Sequence, residues 1–519
     1  MSTSGSRENL VTAAAIVSGC FLGTAALLAY KYPNSAIFED IQKGIPQVKG
    51  YPLVGSFFQQ LQGIKRYYDM QHEQLENLGT MTMITSAIFI SPTITTVDPV
   101  NINYILKTNY TNYNKDTHLK NCTKKFCGDG LFVNDGAKWR YHRKTASRVF
   151  GTKNIQKCFD RVFVKDLKVV TRRVLDQYAS TGASIDIQEL MLKFTMNSFI
   201  QIGFGKDLQI LTEKDVVPLG ESFDLCMDHI ADLYMNPFTP IIDIINTIFH
   251  PQTKHIQQHY DELKTFANNV ISERREDVRN GKKFDDLLSQ FMNTTDEHGE
   301  SFSNEDLCNM MLGTISAGRE TTAASIAWTM YSIIKNPTVE AKLLAEIDYY
   351  FPDTNYQEDL DPTKLFDTIK NMKYAHAVLH ESLRLHPPIP INQRVAVEND
   401  IWPDGSVIRK GNVVSWNMYA QARCSKIWGD NCHEFNPERW ILEDGSLYKE
   451  AKGQAPVFNV GPRTCLGDRL AIVEGLVVLI TLVRRYKFSF SNPEQKNDYN
   501  VRVVETIKGG LPVHVQKRY

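Results

Sequence analysis

Phe458-Asn-Val-Gly-Pro-Arg-Thr-Cys-Leu-Gly467 is the stretch on which the reading of this 519-residue chain turns. It sets Cys465 between Arg463 and Gly467, just ahead of an apolar helical run from Leu470 to Val483. Amides at a turn and at a helix N-terminus stabilise a thiolate by hydrogen bonding and by the helix dipole. Gly461 and Gly467 let the backbone turn tightly and approach a flat ligand. Phe458 would cover the sulfur, and Arg463 offers a cation to an acidic group at the ligand's rim. The nine cysteines form no CxxC pair, which argues against a disulfide framework.

Outward from this decapeptide, other spacings carry information. Glu381-Ser-Leu-Arg384 puts an acid and a guanidinium one turn apart on one helix face, and Trp139 and Arg143 share a face in the same way. Ser303-Asn-Glu-Asp306 is a capping box, followed by helix-compatible sequence as far as Asn336-Pro337. About thirty residues of helix reach ~45 Å, enough to cross a domain. Within that helix lies Ala317-Gly-Arg-Glu-Thr-Thr322.

In combination these residues resemble the cytochrome P-450 family. The decapeptide fits FxxGxRxCxG at each defined position, Glu381 and Arg384 fit ExxR, and Phe435-Asn-Pro-Glu-Arg-Trp440 fits FxPxRF/W. Ala317–Thr322 fits (A/G)Gx(D/E)T(T/S). The resemblance implies a mainly α fold with small β-sheets and haem b as cofactor, its iron bound to the Cys465 thiolate. Trp139, Arg143, Arg394 and Arg463 are implied as propionate ligands, with Phe458, Gly461 and Gly467 shaping the haem loop. Glu381, Arg384 and Arg439 are implied as a structural network. Gly318 is expected to open the helix ladder, Thr321 to donate a hydrogen bond and Glu320 to relay protons to dioxygen. Phe132, Ala317, Ile389, Ile391 and Leu511 are the expected substrate-pocket positions, all apolar or small.

Leu10 to Tyr30 holds twenty-one residues without a charge, about 31 Å of helix and one hydrocarbon thickness. Residues 1–31 are therefore expected to form a single transmembrane anchor, 32–55 a Pro/Gly hinge and 56–519 the haem-thiolate domain. Lys31, Lys43 and Lys49 follow the apolar run and place the catalytic part in the cytosol, on the endoplasmic reticulum membrane. Lys+Arg 58 against Asp+Glu 59 leaves a net charge of −1, which gives no support to nucleic-acid binding. No dinucleotide fingerprint or P-loop stands out, so electrons must come from a partner. That partner is expected to be NADPH-cytochrome P-450 reductase, with cytochrome b5 as a second donor, docking on a basic face of Lys138, Arg140, Arg143, Lys144, Arg148 and Arg469. Cys424, Cys432 and His433 lack a fourth ligand with zinc spacing.

The expected reaction is hydroxylation of a C–H bond in a lipophilic substrate with O2 and NADPH-derived electrons. Motif wording resembles plant and fungal fatty-acid hydroxylases and favours a fatty acid, with steroid hydroxylation as the alternative. A haem-thiolate isomerase or dehydratase and a haem sensor stay open as further alternatives, which the acid–threonine pair disfavours. Ala317 has no carboxylate, so an ester between this position and haem is not expected.

Overall fold

A computed structural model describes residues 4–518 except 40, 43, 149, 152–154, 157, 214–216, 237, 250–254, 296–300, 353–354, 356–358, 449–452 and 497, with backbone alone for 4–15 and 19. The architecture is mainly helical with small sheets. Helix α1 (Ser4–Lys31) precedes α2 (Tyr67–Leu78), a hairpin of β1 (Thr82–Ala87) and β2 (Ile90–Thr96), and the short strand β3 (Tyr113–Asn114). Helices α3 (Thr117–Cys127), α4 (Gly136–Ser147), α5 (Ile187–Phe204), α6 (Pro218–Met235), α7 (Thr239–Phe249), α8 (Ile256–Arg279), α9 (Asn304–Lys335), α10 (Lys373–Leu385) and α11 (Asp468–Arg485) form the body. Strand β4 (Ser184–Asp186) leads into α5, β5 (Ile391–Ala396) and β6 (Val413–Asn417) follow α10, and β7 (Tyr486–Phe490) and β8 (Pro512–Lys517) follow α11.

The larger sheet runs β1-β2-β6-β5-β3, and the smaller runs β4-β8-β7. Within the larger sheet β2 and β6 are parallel, in the register Ile94↔Val414, while β5 returns antiparallel with Arg394↔Val414. That register carries Arg394 inward on the strand after α10, where it is buried.

Helix α9 organises the body. Ser303 accepts the Asp306 amide at 3.0 Å and Asp306 closes the reciprocal cap, so the expected start and the stop at Asn336-Pro337 are both seen. Twenty-two of its 32 residues are buried, which explains why no polar stripe runs along it. Ser316, Ala317, Thr321 and Ser325 keep partial exposure, and Ala317, Thr321 and Ser325 recur every four residues on one face. A helix sealed elsewhere by packing therefore leaves one line of surface open inside the molecule.

The described part of residues 32–55 packs against β1: Val48 N–H donates to Ile84 O at 3.0 Å and Ile84 N–H to Pro46 O at 2.9 Å, while Ile45 and Val48 are buried. The segment is strapped along β1 because its prolines force extended backbone whose free N–H groups find a strand edge. Among the described residues no helix is long and apolar enough to cross a membrane. The apolar run Leu10–Tyr30 is helical in α1, but its side chains 10–15 lie outside the described residues.

Candidate active site

The loop before α11 is built around two left-handed residues, Asn459 (φ 56°) and Gly461 (φ 74°). A Cβ on Gly461 would collide with the Leu106 carbonyl, so the loop needs glycine there. Gly467 differs from expectation: its φ of −95° is ordinary, and a Cβ would meet only Phe150 at 3.9 Å and Cys465 Sγ at 4.0 Å within 4 Å. Its missing side chain keeps the space beside the sulfur open.

Cys465 N–H donates to Phe458 O at 2.7 Å, which pins the loop across its neck. The Phe458 ring packs on the main core, and Leu466 packs on the second cluster, shared with Leu312 and Ile315 of α9. Of the nine cysteines, Cys465 and Cys20 of α1 are exposed; the others are buried or half-buried. Surrounding protein nonetheless raises the Cys465 thiol pKa, opposed by the Gly467 amide and the Arg143 guanidinium. The thiol is thus reachable yet set against protein that disfavours its charged form.

A ring of cations stands beside this loop. Arg463 donates to Asp135 Oδ1 at 2.5 Å and to Asn134 O at 3.1 Å, and its guanidinium lies 4.1 Å from the Trp139 ring centre. Arg143 leans over the same ring at 5.8 Å and donates to Thr464 O at 2.5 Å. Arg394, sealed under 3% exposure, stacks on Trp416 at 5.3 Å. Lys120 pairs with Asp135 at 2.8 Å. Lys115, which sequence reasoning missed, joins them through space. Burial, then the charges of Arg394 and Arg463, push its pKa well down, and burial and Arg463 do the same to Arg394. One carboxylate, Asp135, pairs with both Lys120 and Arg463, so the cluster carries excess positive charge. Such a donor set suits anionic groups on a ligand's edge. Together with the exposed thiol and open Gly467, it fits the haem expected from the motif.

On α9 the structure separates the members of the expected motif. Thr321 lies on the open line and donates to Ala317 O at 2.6 Å, leaving its oxygen lone pairs for another donor. Glu320 turns away and is buried. Burial raises its pKa to about 8, against the pull of Arg319. Arg319 lies 3.5 Å from Glu320 and is held by Asp224 of α6 at 2.5 and 3.2 Å. Asp224 reaches the surface with 39% of its side chain exposed. Paired charges therefore lead from Glu320 outward to Asp224, 95 positions from Arg319, a partner that no local spacing announces. Gly318 does not open the helix ladder, because α9 stays regular through it. Its absent Cβ instead admits the Phe199 ring of α5, and Thr195 Oγ1 caps Arg319 O at 2.8 Å.

The pocket positions divide. Phe132 is 41% exposed, and its ring meets the α-carbon face of Gly313, one turn before Ala317. Ile389 and Ile391 are half-buried at the entry to β5. Leu511 is corrected: it has 0% exposure and belongs to the main core, where its N–H donates to Asp186 at 2.9 Å and its carbonyl accepts Ile187 N–H at 2.9 Å.

Beneath the loop, Glu381 and Arg384 form a doubly hydrogen-bonded pair at 2.7 and 2.8 Å with 0% and 1% side-chain exposure. Arg439 adds 2.9 Å to Glu381 Oε1, and Trp440 Nε1 donates to Oε2 at 2.9 Å. Arg384 also donates to the carbonyls of Ala422, Cys432 and Glu434. A buried ion pair is tolerable when its remaining donors are satisfied, as here.

The sequence matches the family model described as Cytochrome P-450 over residues 46–511. It is 28% identical to Cytochrome P-450 94A2 of Vicia sativa over 91% of each chain. It is 30% identical to Cytochrome P-450 CYP94D108 of Paris polyphylla, over 82% of this chain and 84% of that one. A fungal relative, Cytochrome P-450 monooxygenase cyp1 of Mycosarcoma maydis, is 30% identical over 88% of this chain and 71% of its own. A family match that spans the larger sheet, α9 and the cysteine loop alike places this chain in the cytochrome P-450 family of monooxygenases.

Proposed function

We propose that the chain is a membrane-anchored haem-thiolate monooxygenase that hydroxylates a C–H bond of a lipophilic substrate, a fatty acid before a steroid. The observation that carries this reading is the cysteine loop with its cations: an exposed thiol on Cys465, flanked by half-buried Arg143 and Arg463 and, beyond them, buried Arg394. When bound, the haem supplies activation of dioxygen. Cys465 would hold its iron, and Trp139, Arg143, Arg394, Arg463 and Lys115 would hold its acidic edge. Thr321 offers a hydroxyl on the open line of α9, and Glu320, whose pKa burial raises to about 8, would hold the proton to be delivered, with Arg319 and Asp224 setting the charge around it. Ala317 and Phe132 line the substrate side, and a small Ala317 leaves room for a broad steroid as well as a chain.

Exposed Lys138, Arg140, Lys144, Arg148 and Arg469 support docking of an acidic reductase or cytochrome b5. Arg143 is left out of that face, since it turns inward to Thr464. Microsomes given NADPH, reductase, a fatty acid and a steroid test the reading. Expected is a hydroxylated fatty acid, found by mass spectrometry and absent without NADPH. Hydroxylated steroid alone would reverse the substrate preference, and turnover without NADPH or reductase would remove the monooxygenase reading.

Two surfaces support membrane association on the endoplasmic reticulum. The uncharged run of α1 exposes Phe21, Leu22, Leu27 and Tyr30. Helix α7 exposes Ile241, Ile244, Ile248 and Phe249, and the ring contacts Phe89–Phe238 and Phe57–Phe89, both 6.2 Å, extend an apolar patch. Deletion of residues 1–31 is expected to move part of the protein into the soluble fraction. Adding I244K and I248K to the truncated chain should release most of the remainder. Pelleting unchanged by the truncation would count against α1 as the anchor.

A further inference from the structure

Outside the cleft, one group of side chains among the described residues brings three metal-ligating atoms together. His72, Glu76 and His433 place one donor each within 4.8 Å of the others, with His72 buried and the other two exposed. His72 and Glu76 are four apart on α2 and share a face, with Nε2 3.7 Å from the carboxylate. His433 arrives from the loop ahead of Trp440, its ring centre 5.6 Å from that of His72.

We propose that His72, Glu76 and His433 bind a zinc-class divalent cation that clips α2 to this loop. Two imidazole nitrogens and one carboxylate suit Zn2+, whereas Mg2+ demands an oxygen shell and keeps its waters. Tetrahedral donors at about 2.0–2.1 Å from zinc stand roughly 3.4 Å apart, so closure asks the exposed Glu76 and His433 to shift by about 1 Å. The buried His72 is the fixed point. Water completes the shell.

The clip has a consequence for the body of the protein. The carbonyls flanking His433, those of Cys432 and Glu434, accept from Arg384 at 2.8 and 3.1 Å. Lys426 already ties the same loop region to the end of α2 through Gly79 O at 2.9 Å. A cation on His433 therefore braces the Glu381–Arg384–Arg439 network from outside, and its effect is on stability rather than on the reaction.

Equilibrium dialysis of the haem-loaded full chain against Zn2+ alone, followed by metal analysis, tests the site. H433A and E76Q are the variants, both at exposed positions where truncation spares the core. Expected is one Zn2+ per chain that each variant binds at least about tenfold more weakly. Zn2+ should also raise the Tm of the wild type and of neither variant, and Mg2+ should not raise it. Equal Zn2+ affinity in the wild type and either variant, no Zn2+ bound by the wild type, or an equal response to Mg2+ overturns the proposal.

Discussion

Cys465→His is expected to abolish the red-shifted Soret band of the reduced carbon monoxide complex, while leaving secondary structure intact. The band reports a sulfur ligand to the iron, so it tests ligand identity and not activity. The fold gives no other cysteine the same setting. Cys122, Cys127, Cys226, Cys308 and Cys432 are buried, Cys158 and Cys424 half-buried, and Cys20 belongs to α1. Cys465 alone stands in a loop whose neck is closed by its own amide on Phe458 and whose flank holds Arg143 and the Gly467 amide. Imidazole is larger than the thiol and approaches from a different angle, so any haem retained by the variant should be loosely held and show nitrogen ligation. Circular dichroism run in parallel separates loss of the ligand from loss of the fold. A variant that keeps the red-shifted band would place the sulfur ligand elsewhere.

The same loop shows what a sequence makes legible. Short spacings report faces, because helical geometry fixes where residues three or four apart must point. Glu381 with Arg384 and Trp139 with Arg143 were therefore readable, as was the capping box of α9. Lys115 and Asp135 were not: they meet Arg394 and Arg463 through contacts spanning hundreds of residues, and nothing local marks them. Gly318 was misread for a related reason. A glycine inside a helix signals either a loosened ladder or a close neighbour, and only the position of Phe199 decides between them. Leu511 looked like any apolar residue near the C-terminus until the pairing of β4 with β8 sealed it in the core. Cys424, Cys432 and His433 offered no complete ligand set in sequence. The partners of His433 turned out to be His72 and Glu76, more than 350 positions earlier.

Thr321→Ala and Glu320→Gln should both divert electrons from product to peroxide, and the difference between them lies in pH. A carboxyl whose pKa is raised to about 8 is protonated at neutral pH and loses its proton as pH climbs through that value. Product formed per NADPH consumed should therefore be highest below about pH 8 in the wild type and fall above it. Glu320→Gln removes the titrating proton and should give a low yield that no longer depends on pH in this range. Loss of one positioned acid costs on the order of 10²-fold in rate, the lower end of what such groups contribute. Thr321→Ala leaves Glu320 and its neighbours Arg319 and Asp224 in place, so its yield should fall yet keep the wild-type pH dependence. Asp224→Asn tests the charges around Glu320 from their outer end. Removing that charge takes away part of what keeps Glu320 protonated and frees Arg319 to favour the carboxylate, so the fall in coupling should move to lower pH. Haem content and the thiolate Soret band should match the wild type in all three. A Glu320→Gln enzyme with wild-type coupling and an unaltered pH profile would assign proton delivery to another group.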